Sequence, residues 1–352
     1  MIYLVFPTSW HPSQPYLSLP SLKAFLNMHG VHDVIQRDLA IELLNDLCTW
    51  EKTKPLYERI IRELNELSSK PRLTQEEGEK FNKLREAEEI VMALKDQIDA
   101  AVASQRSQEF YEIDQYMENL KIMDVWLDNI LAPYYPSQLT VIGSQMRFSP
   151  YSSQEVIDSF KHPEENFFYD LYQQWYLPDI LKEDIDILGI SITSVEQIIS
   201  GLTLAYLVKQ HRPEIHITVG GSVFTKPVDR LESQGSHLFD FVDSFVVHEG
   251  ETPLLRLVEQ LRGDRDLSKV PNLIYKKDDE VKVNRPFAKE ELNALPTPDF
   301  DGLPLDLYLS PERVLPVMGS RGCYWEQCAF CSIPSDHMTF HVRYAENVVN
   351  DF

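Results

Sequence analysis

The sequence predicts an α/β protein built on a doubly wound parallel sheet, with a large helical insertion. Two observations carry this prediction. The second half of the chain alternates short apolar runs with segments of helical spacing, which is the order of strands and helices in a parallel sheet. Residues 1–40 begin with the same order of strand, loop, helix and strand. Together these patterns predict a Rossmann-like fold.

The composition is that of a globular protein with an acidic surface. The chain has 352 residues, of which 43% are hydrophobic and 25% are charged, and its formal net charge is −22. Nucleic acids and anionic membranes would be repelled by this charge, so neither is expected as a partner. We find no signal peptide at the start and no apolar run that could span a bilayer, and we expect a cytoplasmic protein.

The opening elements follow from short apolar runs and helix stops. Ile2–Phe6 is an apolar run that ends at Pro7 and predicts a buried strand. Residues 22–28 have helical spacing and are followed by Gly30, a favourable helix stop. Residues 31–39 are predicted to form the second strand.

Residues 41–180 interrupt the α/β pattern and are predicted to be a helical insertion. Up to Leu131 the apolar residues recur at helical spacing, and Thr74 with Glu77 predicts a capping box. The heptad does not persist, so antiparallel helices are expected rather than a coiled coil. Residues 133–181 are aromatic and are expected to be an irregular connection back to the sheet. Cys48 is predicted to be a core residue.

The α/β pattern returns in the second half of the chain. Apolar runs at residues 185–193, 215–219 and 241–247 predict parallel strands, with helices over 196–211 and from Thr252 onward. Residues 271–287 predict a small hairpin. We therefore expect a first domain over residues 1–285, a proline-rich linker over 286–313, and the start of a second domain over 314–352. That second domain is expected to open with a strand at residues 314–318 and to end in a helix from Ala345.

Three loops after the predicted strands are candidate ligand contacts. Ligands of open parallel sheets lie beyond the carboxyl ends of the strands, where glycines allow close approach and hydroxyls can donate hydrogen bonds. No G-x-G-x-x-G follows the first strand, which argues against a dinucleotide site of the usual kind. The candidate residues are Thr193, Ser194, Gly220, Gly221, Ser222, Glu249, Gly250 and Glu251.

Three of the four cysteines form a compact motif. Cys323, Cys328 and Cys331 have the spacing C-x4-C-x2-C, and three thiolates this close can converge on one metal centre. Thiolate ligands suit an iron–sulfur cluster, in which three ligands would leave one iron open, or zinc. A structural zinc site would take a fourth ligand, for which His337 or His341 is near enough in sequence.

The segment Arg321-Gly322-Cys323-Tyr324-Trp325-Glu326-Gln327-Cys328-Ala329-Phe330-Cys331 resembles the cluster loop of radical S-adenosylmethionine (SAM) enzymes, whose common spacing is one residue shorter. The stretches before it are similar to the cobalamin-binding domain that one branch of this family carries at its N-terminus. Those stretches are 186–191, 218–222, 247–251 and Leu295-Pro296-Thr297-Pro298-Asp299. The resemblance covers residues 185–352 well and residues 1–40 loosely.

The resemblance implies three cofactors. Cys323, Cys328 and Cys331 would ligate a [4Fe-4S] cluster, SAM would chelate its open iron, and Phe330 would lie against the adenine. The loop residues named above would contact cobalamin, with the corrin between the sheet edge and the barrel. No D-x-H-x-x-G pattern surrounds His11, so cobalamin is expected to bind without a histidine ligand.

The chemistry implied is reductive cleavage of SAM to a 5′-deoxyadenosyl radical that abstracts a substrate hydrogen. In the cobalamin branch, methyl transfer from methylcobalamin is common, and cyclisation or rearrangement also occurs. An electron donor such as flavodoxin or ferredoxin is implied. The substrate is not identified by the sequence.

A radical SAM barrel takes roughly 200 residues, whereas 21 residues follow Cys331. The resemblance therefore implies an N-terminal portion of such an enzyme, holding the first unit of a truncated β/α barrel. The alternative is a non-catalytic cobalamin- or zinc-binding protein.

Overall fold

The computed structural model describes residues 1–331, 333 and 339–352. The strands are β1 Ile2–Phe6, β2 Val34–Asp38, β3 Gln138–Leu139, β4 Ser144–Gln145, β5 Ile187–Ser191, β6 His216–Gly220, β7 Ser244–Val246, β8 Leu273–Lys277, β9 Glu280–Val283, β10 Ser320–Arg321 and β11 His341–Val342. One mixed sheet organises this part of the chain, in the strand order β2-β1-β5-β6-β7-β8-β9. Its first five strands in that order run parallel, β8 pairs antiparallel with β7, and β9 pairs antiparallel with β8.

Helices cover both faces of this sheet, as the doubly wound pattern predicts. No helix in the described part of the chain is long and apolar enough to cross a membrane. The helices are α1 Ser18–Met28, α2 Leu39–Leu47, α3 Trp50–Ser68, α4 Gln75–Leu94, α5 Ile98–Gln105, α6 Ile113–Ile130, α7 Ser153–Lys161, α8 Phe167–Leu171, α9 Leu177–Lys182, α10 Gln197–His211, α11 Ser222–Thr225, α12 Val228–Gln234, α13 Glu251–Arg262 and α14 Ala345–Asn350.

Strand β1 lies in the middle of the sheet and divides the hydrophobic core in two. Its five residues are all buried, and successive side chains point to opposite faces. Leu4 and its neighbours on the same face pack with α1 and α13. Tyr3 and Val5 pack on the other face with α10 and the helices between β2 and β5. Strand β2 pairs with one edge of β1, and β5 pairs with the other edge. The strand order therefore reverses between β1 and β5, and that position is a topological switch point.

The predicted helical insertion is the crossover from β2 to β5. Helices α2 to α9 share one core, in which the Trp126 indole donates a hydrogen bond to the Leu47 carbonyl at 2.6 Å. The capping box of Thr74 and Glu77 is present at the start of α4, and Cys48 is buried, both as predicted.

Two expectations about irregular segments and strands are wrong, the first in part. Residues 135–152 are irregular apart from the short strands β3 and β4, as predicted, but α7, α8, a π-helical turn (Tyr172–Tyr176) and α9 follow, and aromatic side chains such as Phe167 and Phe168 are fully buried in their packing. Residues 314–318 form no strand. Val314 and Leu315 are exposed, and strand pairing begins only at β10, which pairs antiparallel with β11. The hairpin predicted at 271–287 is present as β8 and β9, but it extends the main sheet.

The proline-rich segment after β9 is held against the sheet. The Asp299 carboxylate accepts a hydrogen bond from Asn27 at 2.9 Å and lies 3.1 Å from the Lys23 ammonium, both on α1. Further along, the Tyr308 hydroxyl donates to the Asp38 carboxylate at 2.6 Å. These contacts fix the path that leads the chain from the sheet to the cysteine motif.

Candidate cofactor site

A cavity of about 460 Å³ lies at the carboxyl edge of the parallel strands. Leu4 and Gly189 form its floor, next to the switch point between β1 and β5. Helix α1 and the first turn of α13 contribute to its walls. The volume falls within the range of small-molecule and cofactor pockets, roughly 300–1,000 Å³.

The sequence-predicted loop residues meet at this cavity. They come from the ends of three successive strands, β5, β6 and β7, whose carboxyl ends share one edge of the sheet. Ser194 does not line the cavity, and its hydroxyl instead hydrogen-bonds to Glu196. The predicted residues that do line it are Thr193, Gly220, Gly221, Ser222, Glu249, Gly250 and Glu251.

Gln197, at the start of α10, fixes the loop after β5. Its fully buried side-chain oxygen accepts hydrogen bonds from the backbone N–H groups of Thr193 at 2.9 Å and Ser194 at 3.1 Å. Its amide nitrogen donates to the Pro7 carbonyl at 2.8 Å. One side chain therefore ties the cavity-lining loop to the end of β1.

Gly221 makes a close approach that a side chain would block. Its φ is +111°, a region that favours glycine, and a Cβ there would lie 2.0 Å from the Ile192 carbonyl oxygen. The Ser222 hydroxyl, one residue later, donates to the Thr193 carbonyl at 3.2 Å. The glycine pair and the β5 loop thus form one continuous backbone wall of the cavity.

A chain of polar side chains runs from the cavity floor into the sheet. The Ser244 hydroxyl donates to the Thr218 hydroxyl at 3.0 Å, and Thr218 lines the cavity. His216 Nε2 lies 2.9 Å from the same Ser244 oxygen. Burial lowers the pKa of His216 to about 4, with Asp243 opposing and Lys209 adding to that shift. The imidazole is therefore neutral at pH 7.

Tyr16 forms an aromatic corner at the cavity wall. Its ring stacks on Phe6 with centroids 5.1 Å apart and meets Trp10 edge-on at 4.8 Å. Burial raises the pKa of Tyr16, and a hydrogen bond with Thr193 opposes that rise. The phenol is therefore neutral and can donate or accept a hydrogen bond at the wall.

The residues that lead into the cysteine motif line the same cavity. Ser320, Arg321 and Gly322 are among its lining residues. Gly322 has φ +80°, and a Cβ there would lie 2.6 Å from the Thr339 carbonyl oxygen. Pairing of Arg321 with His341 in the β10–β11 ribbon adds to this fixed geometry. The segment before Cys323 is thus held in place beside the sheet edge.

A buried ion network joins this segment to the loop after β7. An Arg321 guanidinium nitrogen lies 3.2 Å from Glu249 and also 3.2 Å from Glu251, and a second nitrogen bonds Glu251. His341 Nε2 lies 3.2 Å from the same Glu249 carboxylate. Burial would lower the pKa of Arg321, but the two carboxylates outweigh it and raise the pKa above its usual value. Glu249 and Glu251 therefore border the cavity with their charges directed to Arg321.

Glu290 lies beside this network without pairing with Arg321. Its carboxylate accepts hydrogen bonds from the Thr252 backbone N–H at 2.7 Å and from the Thr252 hydroxyl at 2.8 Å. Burial raises the pKa of Glu290, the Thr252 hydrogen bonds oppose this, and the charges of Glu251 and Glu249 add to it. Its backbone N–H donates to Glu249.

The three cysteines lie in a more open segment. Cys328 is exposed, Cys323 and Cys331 are half-buried, and Phe330 is 93% exposed. Among residues 1–331, 333 and 339–352, no three His, Cys, Asp or Glu side chains are arranged to hold a metal ion. His337 lies outside the described residues, and His341 is engaged with Glu249. The thiol donors suit a cluster chemically, but their arrangement here does not bring them together.

His11 and His248 are two other histidines whose imidazoles could serve as metal ligands. His11 does not line the cavity, and its Nδ1 lies 3.0 Å from the Ser13 hydroxyl. His248 does line the cavity, in a left-handed conformation with φ 59°. Its ring packs on Phe287 with centroids 4.5 Å apart, and its backbone N–H donates to the Thr225 hydroxyl at 2.8 Å.

No protein-family model and no curated protein matches the chain. Among solved structures, two of the cobalamin-dependent SAM radical enzyme OxsB, with aqua-cobalamin bound and with SAM in addition, share 21% and 24% identity with TM-scores of 0.38 and 0.41. Each match covers 50% of this chain and 24% of OxsB.

A third solved neighbour is the radical SAM methyltransferase TsrM from Kitasatospora setae, with cobalamin and a [4Fe-4S] cluster bound. It shares 14% identity with a TM-score of 0.35, over 58% of this chain and 42% of TsrM. The chain thus spans about a quarter of OxsB and two fifths of TsrM. The solved neighbours are cobalamin-dependent radical SAM enzymes.

Several site residues were not found from the sequence. Gln197 and Tyr16 carry no motif, although Gln197 falls in the first turn after a candidate loop, where its side chain can reach back to that loop. Arg321 belongs to the cysteine motif in the sequence, but its pairing with Glu249 and Glu251 joins residues about 70 positions apart. Only the tertiary fold reveals such a pairing.

Proposed function

We propose that this chain is an N-terminal, cofactor-binding portion of a cobalamin-dependent radical SAM enzyme. One observation carries the proposal. The glycine loops of the sheet edge and the residues that lead into the cysteine motif line one cavity. Two segments that resemble different domains of that family therefore face a common space, as a pair of cooperating cofactors would require.

The cavity suits part of a cobalamin. Its volume is too small for the whole molecule, so we propose that it takes the nucleotide tail, with the corrin at its mouth between the sheet edge and residues 320–322. Gly220 and Gly221 would allow close approach of the backbone, and the Thr193 and Ser222 hydroxyls would contact polar groups of the cofactor. When bound, cobalamin supplies a cobalt-centred methyl or electron carrier.

We propose that Cys323, Cys328 and Cys331 ligate a [4Fe-4S] cluster once iron and sulfide are present. Metal binding commonly couples to the ordering of its ligands, so an open arrangement before loading is compatible with a defined site afterwards. SAM would bind the open iron with Phe330 against the adenine. The cluster supplies the electron for SAM cleavage, and flavodoxin or ferredoxin is the class of donor that would reduce it.

The reaction we propose is radical methyl transfer or rearrangement on a substrate that the chain does not identify. Free cysteines in a cluster-ligand pattern suit a reducing compartment, which supports a cytoplasmic setting. The neutral Tyr16 at the cavity wall would bind and orient polar groups without adding charge there, and the neutral His216 would support Thr218 from beneath through Ser244.

The test is anaerobic loading of the purified chain with cobalamin, and separately with iron and sulfide. We expect cobalamin to bind, with a cob(II)alamin EPR spectrum that lacks axial nitrogen splitting, and we expect iron–sulfur charge-transfer absorbance. Stoichiometric zinc without that absorbance would favour the non-catalytic alternative. Nitrogen splitting that disappears in His248→Ala would overturn the histidine-free assignment.

A further inference from the structure

We infer that Glu249 and Glu251 act on the cysteine segment rather than on a cofactor, forming with Arg321 a buried clamp that fixes where the segment leaves the sheet edge. We call these three residues the edge clamp. The purpose of the clamp rests on the proposed function, whereas its geometry rests on contacts within the chain alone.

The three side chains of the edge clamp are buried. The Arg321 side chain is 13% exposed, and those of Glu249 and Glu251 are 2% and 4% exposed. Buried charges of this kind are strongly unfavourable when unpaired. Uncharged cofactor groups would leave both carboxylates without a counter-charge, so these glutamates require the guanidinium whether or not the cavity is filled.

The two glutamates are placed to share one guanidinium. Glu249 and Glu251 flank Gly250 at the start of α13, so both carboxylates reach one guanidinium from a single turn of chain. Arginine presents its donors in a rigid planar fork, which can serve two carboxylates at once, whereas a lysine is a single point charge. The pattern Glu-Gly-Glu on one side and Arg-Gly-Cys on the other is therefore a matched pair.

The edge clamp positions the start of the cysteine segment. Arg321 is followed by Gly322, which fits only without a side chain, and then by Cys323. The first thiol thus begins two residues beyond a fixed guanidinium, whereas Cys328 is exposed. The clamp sets the starting point of the cysteine segment relative to the cavity before any cofactor binds. Its members are positioning residues.

The first experiment uses hydrogen exchange on the intact chain without cofactors. In Glu251→Gln, the amides of residues 319–323 are expected to exchange at least about tenfold faster than in the wild type. The matched control is Glu290→Gln, which neutralises a neighbouring carboxylate that does not pair with Arg321 and should leave these amides unchanged. Circular dichroism checks that each variant is folded.

A second variant keeps the test decisive if Glu251→Gln fails to fold. Arg321→Lys retains the charge and loses the fork, so exchange of residues 319–323 should increase by less than in Glu251→Gln. Wild-type exchange in both clamp variants, or equal acceleration in Glu290→Gln, would overturn the clamp.

The second experiment uses EPR to measure the position of the cluster relative to cobalamin. A general loss of stability would not change this position in a folded variant. In protein holding cob(II)alamin and a reduced cluster, the wild type should give one defined spin–spin splitting by EPR. Glu251→Gln should broaden it into a distribution at unchanged iron and cobalamin content, and Glu290→Gln should keep it sharp. If neither cofactor binds the wild type, the proposed function fails while the exchange experiment still decides the clamp. Sharp, unshifted splitting in Glu251→Gln would contradict the clamp alone.

Discussion

The cavity wall and the cysteine segment are fixed to different degrees. At the wall, Gly221 and the β5 loop are held by backbone contacts and by the buried Gln197. In the cysteine segment, the chain is held as far as Gly322, and beyond it Cys328 and Phe330 are exposed. If the proposed function holds, the fold builds the cobalamin half of the site by itself, and the cluster half depends on a ligand to bring its thiols together.

The largest expected effect is at Gly221. Gly221→Ala should lower the free energy of unfolding by about 3 kcal/mol or more, because the new Cβ meets the Ile192 carbonyl and the backbone φ is unfavourable for alanine. Gly220→Ala is the matched control. Its Cβ would meet nothing closer than 3.6 Å, so a change below about 1 kcal/mol is expected. Urea unfolding measures both, and equal losses would show that the wall is not as tightly built as described.

The next effect is a pH dependence beneath the cavity. His216 has a pKa of about 4 in the folded protein, below its ordinary value of 6.5, so the unfolded chain binds its proton first as the pH falls. Stability from this group is complete above pH 6.5 and is lost between pH 6.5 and 4, by about 3 kcal/mol. His216→Asn should lack that loss when unfolding is measured across this range.

Asp38 provides a control of opposite sign for this pH experiment. Burial raises its pKa to about 6, against hydrogen bonds from Tyr308 and the backbone that lower it. Its folded form therefore binds a proton more tightly, and the associated stability is lost as the pH rises from 3.8 to 6. Asp38→Asn should remove that contribution. Profiles that change in the same sense for both variants would contradict these assignments.

The smallest stability effects separate the two kinds of cysteine. Cys48→Ala should cost about 1 kcal/mol by removing a buried sulfur, with iron loading unchanged. Cys328→Ala should change stability by less than about 0.5 kcal/mol and abolish cluster formation. Unfolding and iron analysis on the same samples measure both. Normal iron loading of Cys328→Ala would remove that residue from the ligand set.

The sequence predicted the sheet better than it predicted the segments around it. Runs such as Ile2–Phe6 and Ile187–Ser191 are buried on both faces, so periodicity and burial agree. It failed at residues 153–181, where aromatic side chains obscured helical spacing, and at 314–318, where an apolar run lies exposed instead of paired.

At the site, local sequence was enough to bring the predicted loop residues other than Ser194 to one cavity, because the carboxyl ends of parallel strands share one edge. It was not enough for Gln197, Tyr16 or the pairing of Arg321. Their roles depend on which distant backbone group or side chain the fold brings beside them.

The most direct test of the proposed cobalamin site is cobalamin binding to two variants that add the same side chain at different positions. Gly250→Leu adds it at the cavity wall, where φ is −106° and the nearest atoms to a Cβ are Leu22 at 3.6 Å and Val246 at 3.9 Å. Gly78→Leu adds it on α4, where nothing lies within 4 Å. We predict that Gly250→Leu weakens cobalamin binding at least about tenfold, a loss of about 1.4 kcal/mol, and that Gly78→Leu binds as the wild type does. Equal cobalamin affinity in the wild type and both variants would place cobalamin elsewhere and contradict the proposed site.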